Sequence, residues 1–354
     1  MIAQQEQSDD DAEREQPPFD DDPEEPEDDD SEEAEDKFPG QHHVEFRTIV
    51  LPNRKIVFVP MLKAGCTSLL WMLARVAGLK ARRFERSVLG AVSPAMTIHT
   101  MSAWPDPLRW NSLTDEQKDA IAADDAWLRF TTVRDPATRL WSAWQSKLLL
   151  REPGFTRRFG DEAWFPRIPT DPHEVVEDFR AFVRSLVSDN PPYDAHWGPQ
   201  TDFIAAAPPL THVGRLESLD ETTRLVAQHL GPDVQTITGE QENRSLLRYH
   251  RALYDDETAA VVNTYYANDF TQLGYEPLAS SPDAAALESW SDQAAGRLDP
   301  IGALCGAHAR IEELHKHAKT AKGRRLRVLE LEVENARLES WIDAAAEQTA
   351  MRTS

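Results

Sequence analysis

Apolar and polar positions first settle into a pattern near Phe46. Residues 48–51 (Thr-Ile-Val-Leu) and 55–59 (Lys-Ile-Val-Phe-Val) are short apolar runs on either side of Pro52-Asn53, which predicts two strands around a turn. The second run ends in Pro60 and leads through Met-Leu-Lys-Ala-Gly-Cys-Thr-Ser into an apolar stretch, 69–77, of helical character. Strand, tight loop, helix is the order that builds anion cradles in α/β proteins. A helix over 114–126 follows, with Thr114 as its N-cap, and Leu128–Val133 reads as a second core strand. Arg134-Asp135-Pro136 ends that strand, and 137–150 reads as a helix.

Downstream, 151–172 is rich in Arg, Pro and aromatics and predicts a long loop. A helix carrying Val175, Phe179, Phe182, Val183 and Leu186 comes next, then a third core strand at Leu210–Val213 and helices near 218–230 and 256–272. This alternation predicts an α/β fold with a central, mostly parallel sheet flanked by helices, spanning 43–277. Residues 278–304 read as a linker with a short helical piece, and 305–348 as a long helix. There Val328, Leu331, Asn335, Leu338, Ile342 and Ala345 alternate at spacings of three and four, an a/d stripe with Asn at an a position. Such a stripe fits a homodimer through a coiled coil, or a single helix folded back on the body.

Charge adds an appendage to this plan. The formal net charge is -23 over 354 residues, but residues 1–40 alone hold 19 acidic and 2 basic side chains. Residues 1–42 therefore read as a disordered acidic tail, too poor in apolar groups to offset the entropy of ordering. The remaining body is only mildly acidic, which excludes a globally basic nucleic-acid binder. Two cysteines, Cys66 and Cys305, exclude a disulfide scaffold and a cysteine metal cluster. No basic region followed by an apolar stretch opens the chain, and no run of 18 apolar residues occurs, so a cytoplasmic protein without membrane insertion is expected. Six of the ten Trp residues fall between 104 and 164, and Trp104, Trp110 and Trp141 suit either ring stacking at a cleft or core packing.

The candidate chemistry lies in two loops. In Pro60–Ser68, Gly65 lets backbone approach a ligand, and the N–H groups of Ala64, Gly65, Cys66, Thr67 and Ser68 suit a phosphate at the helix N-terminus. Lys63 adds a cation, and Thr67 and Ser68 add hydroxyls. The Lys precedes the Gly, so this is not the nucleotide motif in which Lys follows a four-residue spacer. At the second loop, Arg134 offers a planar fork for a phosphate and Ser142 a hydroxyl from the following helix. Two anion sites at the ends of neighbouring strands imply a ligand with two separated phosphates, such as a nucleoside bisphosphate. No metal-ligating cluster is evident.

These residues resemble the sulfotransferases that use 3′-phosphoadenylyl sulfate (PAPS), most closely the carbohydrate branch that includes the HNK-1 and chondroitin/dermatan 4-O enzymes. Pro60-Met-Leu-Lys63-Ala-Gly-Cys66-Thr67-Ser68 is similar to the family's 5′-phosphosulfate loop, with one extra residue between Pro60 and Lys63 and a Gly at 65. Val133-Arg134-Asp135-Pro136-Ala-Thr-Arg139-Leu140-Trp-Ser142-Ala143 is similar to its 3′-phosphate segment. His196-Trp197-Gly-Pro199-Gln200, Val213-Gly214-Arg215-Leu-Glu217 and Tyr265-Tyr266-x-x-Asp269-Phe270 follow in the family's order. The resemblance implies a P-loop-like sulfotransferase fold, PAPS as donor, and sulfuryl transfer to a hydroxyl on a glycan, glycolipid or glycosylated metabolite.

It also implies roles. Lys63 would stabilise charge on the leaving oxygen, and residues 64–68 would hold the 5′-phosphosulfate. Arg134 and Ser142 would hold the 3′-phosphate, with Arg215 adding cofactor contacts or serving as a surface cation. His99, between the two loops, resembles the family's base, with His196 the second candidate. Asp135 reads as a structural carboxylate, and Arg139 as a tie between loops. His42-His43, beside the acidic tail, offers no evident partners. The four arginines of 151–167 would suit an anionic acceptor. A metal-dependent nucleotide phosphotransferase and a non-catalytic scaffold remain the alternative readings.

Overall fold

The computed structural model describes residues 39–85, 94–231, 245–279 and 283–318, together with 335, 338 and 339. Helix α1 (Pro39–Arg47) leads into strands β1 (Ile49–Leu51) and β2 (Ile56–Val59). Helices α2 (Cys66–Val76), α3 (Ala81–Glu85) and α4 (Asp115–Ala123) precede β3 (Leu128–Val133). Then come α5 (Pro136–Trp144), α6 (Pro153–Phe159), α7 (Pro172–Ser185) and α8 (Gln200–Ala206), followed by β4 (His212–Arg215). The remainder is helical: α9 (Leu219–Leu230), α10 (Asp256–Tyr265), α11 (Ala267–Leu273), α12 (Ala284–Ala295) and α13 (Leu298–Ala318).

The sheet has the order β1-β2-β3-β4. β1 and β2 form the antiparallel hairpin around Pro52. β2 pairs in parallel with β3, Ile56 opposite Leu128, and β3 with β4, Val133 opposite Arg215. The three parallel strands therefore end side by side, which places their following loops at one edge, the position where open α/β sheets bind ligands. Alternation along the strands divides the core. Ile56, Phe58, Leu128 and Phe130 pack with Leu69, Leu70 and Leu73 of α2, while Val57 packs with Trp110 and Ile121.

Local chemistry explains several boundaries. Thr114 caps α4 through a reciprocal box with Gln117. Asp135 caps α5, its carboxylate accepting from the Thr138 N–H at 2.8 Å. Gly214 sits where a Cβ would lie 1.9 Å from Thr222 Oγ1, so no larger residue fits between β4 and α9.

Four differences from the sequence reading stand out. Helix α1 starts ahead of Phe46, because Val44 and His43 find cover: His43 is buried, its Nε2 3.0 Å from Pro60 O and its ring edge-on to Phe203. The third core strand lies two residues later than Leu210–Val213. The 151–172 segment contains α6, started by Pro153. Finally, the apolar core continues past Pro277: Trp290 and Ala294 of α12 and Ile301 and Cys305 of α13 join Trp141, Trp144 and Phe179. Residues 1–38 of the expected acidic tail and most of the 328–345 heptad stripe lie outside the described residues, whereas 39–42, read as part of that tail, are helical in α1. No helix among the described residues is long and apolar enough to cross a membrane.

Candidate active site

The loop between β2 and α2 is held by its carbonyls. Arg139 Nε donates to Leu62 O at 2.9 Å, Arg134 Nη1 to Lys63 O at 3.4 Å, and Thr132 Oγ1 to Ala64 O at 2.7 Å. Three consecutive carbonyls are thus fixed by side chains of β3, α5 and the turn between them. Two residues in this loop have left-handed backbone, Lys63 (φ 66°) and Gly65 (φ 85°). For Lys63 that conformation costs on the order of 1 kcal/mol, a strain typical of functional loops. At Gly65 a Cβ would also meet Leu216 Cδ1 at 2.9 Å. Cys66, Thr67 and Ser68 form the first turn of α2.

Arg134 lies at the end of β3, next to this loop. Its backbone N–H donates to Gln200 Oε1 at 2.9 Å, and Gln200 Nε2 donates back to Arg134 O at 2.8 Å. Ser142 is half-buried on α5. Glu217 accepts from the Asp135 N–H and the Tyr275 hydroxyl. The Arg215 guanidinium donates to Leu273 O and Gly274 O and stacks on Tyr275 at 4.5 Å, so here it caps α11. Asp269, fully buried, accepts from the N–H groups of Gln200 and Thr201 and holds the start of α8. The His196–Gln200, Val213–Glu217 and Tyr265–Phe270 segments thus act as a frame around Arg134.

Both candidate histidines lie by the loops. His99 Nε2 is 2.9 Å from Thr67 Oγ1. His196 Nδ1 is 2.6 Å from Asp194 Oδ1, and Arg158 pairs with Asp194 at 3.2 Å. Asp194 therefore orients His196 with Nδ1 toward the carboxylate and Nε2 away from it. Arg139 joins the two regions: it reaches Leu62 O on one side and Gly198 O and Ala195 O, at 2.8 and 3.0 Å, on the other.

Clustered, buried cations set the electrostatics. Burial, reinforced by Lys147, pulls the Lys63 ammonium down to about 7, with Glu152 opposing. Burial and then Arg47, Lys147, His196 and Lys63 hold His99 well below the usual imidazole range. Burial and Lys147 bring His196 to about 4 against the pull of Asp194. Burial pushes the Cys66 thiol up, so it is not a ready thiolate. Negative charge brought next to Lys63 and His99 would raise both from these depressed values.

Sequence reasoning missed Arg47, Asp194, Lys147 and Glu152. Lys147 lies in a π turn, Gln145–Leu149, and meets both Glu152 oxygens at 2.6 Å. Asp194 carried a weak signal, two residues before His196. The four loop arginines are engaged: Arg151 with Pro166 O, Arg157 with Glu312, Arg158 with Asp194, and Arg167 with Asp178. Trp104 and Trp141 are fully buried, and Trp110 nearly so, which gives them core roles.

No three His, Cys, Asp or Glu side chains among the described residues converge as a metal site. No curated protein and no solved structure matches the chain significantly. One family does match: the pattern described as "Sulfotransferase family" covers residues 46–276, from the end of α1 to just beyond α11. This span holds the β2–α2 loop, Arg134, His99 and His196, and the chain belongs to the sulfotransferase family.

Proposed function

We propose that the chain transfers a sulfuryl group from PAPS to an acceptor hydroxyl by in-line displacement. The observation that carries this is the bracing of Leu62, Lys63 and Ala64 by Arg139, Arg134 and Thr132. It couples two anion-binding loops into one rigid unit, as a donor with separated 5′ and 3′ phosphates requires. Gly65, at φ 85° and packed against Leu216, permits the left-handed turn from which the α2 N–H groups would face the donor.

When bound, the donor supplies the sulfuryl group and a phosphate leaving group. The first turn of α2, with Thr67 and Ser68, binds the 5′ side, and Arg134 with Ser142 binds the 3′-phosphate. Lys63 regains a full proton beside that negative charge and stabilises the developing charge on the departing oxygen. His99 is the base. Its Nε2 points at the donor loop, and the Thr67 hydroxyl can turn from it to a phosphate, exposing the lone pair. Donor charge also raises the His99 pKa from its depressed value toward neutrality. His196, held by Asp194, lines the acceptor side.

A glycan, glycolipid or glycosylated-metabolite acceptor is supported by the carbohydrate-type sequence segments alone. The direct test is incubation of the protein with labelled PAPS and an extract of its own cells, followed by mass identification of the product. A sulfated sugar-bearing product is expected. A phosphorylated product formed only with magnesium and ATP would replace this reading by the phosphotransferase one.

A further inference from the structure

The Lys147–Glu152 pair is not used by the chemistry above, yet it lies beside it. The Lys147 side chain is 4% exposed and that of Glu152 22%, so the carboxylate is the open member of a nearly buried pair. Lys147 Nζ sits 5.3 Å from the Phe155 ring centroid, and Phe155 meets the His196 ring edge-on at 5.2 Å. One continuous wall therefore runs from His196 through Phe155 to the ion pair. Burying such a pair gains little over an apolar pair of the same volume, so packing alone does not account for it.

The fold goes to some length to present this wall. The Leu150 N–H bonds to Gln145 O at 3.0 Å, one residue beyond the α-helical partner, and the widened turn carries Lys147. Gln145 is locked in turn to the Leu247 backbone by two hydrogen bonds. From behind, α13 clamps the same stretch: Cys305 Sγ donates to Leu149 O at 3.2 Å, and His308 Nδ1 to Leu150 O at 2.6 Å. Glu312 adds an ion pair with Arg157 at 2.5 Å. Helix α13 lies beyond residue 276, outside the segment shared with the family.

We propose that the Lys147–Glu152 pair, backed by α13, recognises the acceptor and selects one that presents uncharged hydrogen-bond donors beside the reacting hydroxyl. The inference rests on the sulfuryl-transfer reading above. Each Glu152 oxygen spends one lone pair on Lys147 and keeps capacity for another donor. An approaching hydroxyl satisfies it, whereas an acceptor carboxylate meets a like charge. The arginines that would have welcomed an anion, Arg151, Arg157, Arg158 and Arg167, already have partners within the fold. Nearby charge agrees: Lys147 holds Glu152 in its ionised form.

The test uses the full chain and two probe acceptors, octyl β-glucoside and octyl β-glucuronide, with PAPS as donor. The wild type is expected to sulfate the glucoside at least tenfold faster at equal concentration. Replacing the whole pair, Lys147→Met with Glu152→Leu, avoids stranding one buried charge and so keeps the fold. This double variant should keep PAP affinity and PAPS KM within about twofold while the glucoside KM rises about tenfold or more. Glu152→Gln, which keeps the shape, should narrow the discrimination between the two probes. Preference for the glucuronide, unchanged glucoside KM in the double variant, or sulfation of neither probe by a PAP-binding wild type overturns the inference and leaves the donor reading standing. Failure of the wild type to bind PAP overturns both.

Discussion

Arg134 and Gln200 exchange two hydrogen bonds, N–H to Oε1 at 2.9 Å and Nε2 to carbonyl at 2.8 Å. Gln200 is fully buried, so its amide imitates a strand neighbour and fixes the backbone from which the Arg134 guanidinium extends. Gln200→Ala removes both bonds without touching a ligand. Stability should fall by about 1–3 kcal/mol in urea melts, and PAP should bind roughly tenfold more weakly. Equal PAP affinity in a folded variant would show that the Arg134 backbone needs no such support.

With Lys63 in the proposed role, donor binding should depend on pH. Its ammonium titrates at about 7 in the unliganded protein, and binding two phosphates requires the charged form. Below that value the proton is already present and affinity is independent of this group. Above it, binding takes up a proton, and affinity should fall by roughly tenfold per pH unit. Calorimetry at about pH 8 in buffers of different ionisation enthalpy should report close to one proton gained, and Lys63→Met should lose that uptake. The unliganded protein responds with the opposite sign. The unfolded chain keeps the Lys63 proton up to the usual lysine value of 10.5, so between about 7 and 10.5 this group raises stability as pH rises.

The two histidines should separate kinetically. His99→Ala is expected to leave PAP affinity within about threefold and to lower turnover by 100-fold or more, the usual weight of a general base. His196→Ala and Asp194→Asn should act mainly on acceptor KM, with smaller losses in turnover. Reversal of this pattern, turnover lost with His196 and kept without His99, would move the base to His196.

Arg139 is fully buried and serves four structural purposes with one side chain: a helix core position and three carbonyl contacts, at Leu62, Gly198 and Ala195. Lysine cannot reach all three, because it lacks the planar fork. Arg139→Lys should cost about 3 kcal/mol or more and should weaken PAP binding as well, since the donor loop loses its anchor. Stability loss with undiminished PAP affinity would show that the loop holds its shape without this residue.

The two loops proposed to hold the donor stood out in the sequence because their signals are local. Pro60 to Ser68 and Val133 to Ser142 each lie on one strand–loop–helix unit, and the parallel pairing of β2 with β3 brings them together. The pairs proposed to meet the acceptor were not legible, because they form across irregular structure. Lys147 and Glu152 are five apart and meet only through a π turn, which no 3.6-residue pattern anticipates. His43 looked unpartnered because its acceptor, Pro60 O, is a backbone atom of another element. The first turns of α13 read as linker because their buried positions, Ile301, Cys305 and His308, mix apolar and polar types, with Gly302 and Gly306 between them.

Calorimetric titration of the full chain with PAP, ADP and ATP, with and without magnesium, tests the central claim most directly. The account predicts sub-millimolar PAP binding without metal, weakened at least tenfold in Arg134→Ala. Binding of magnesium-ATP alone, with none of PAP, would contradict it.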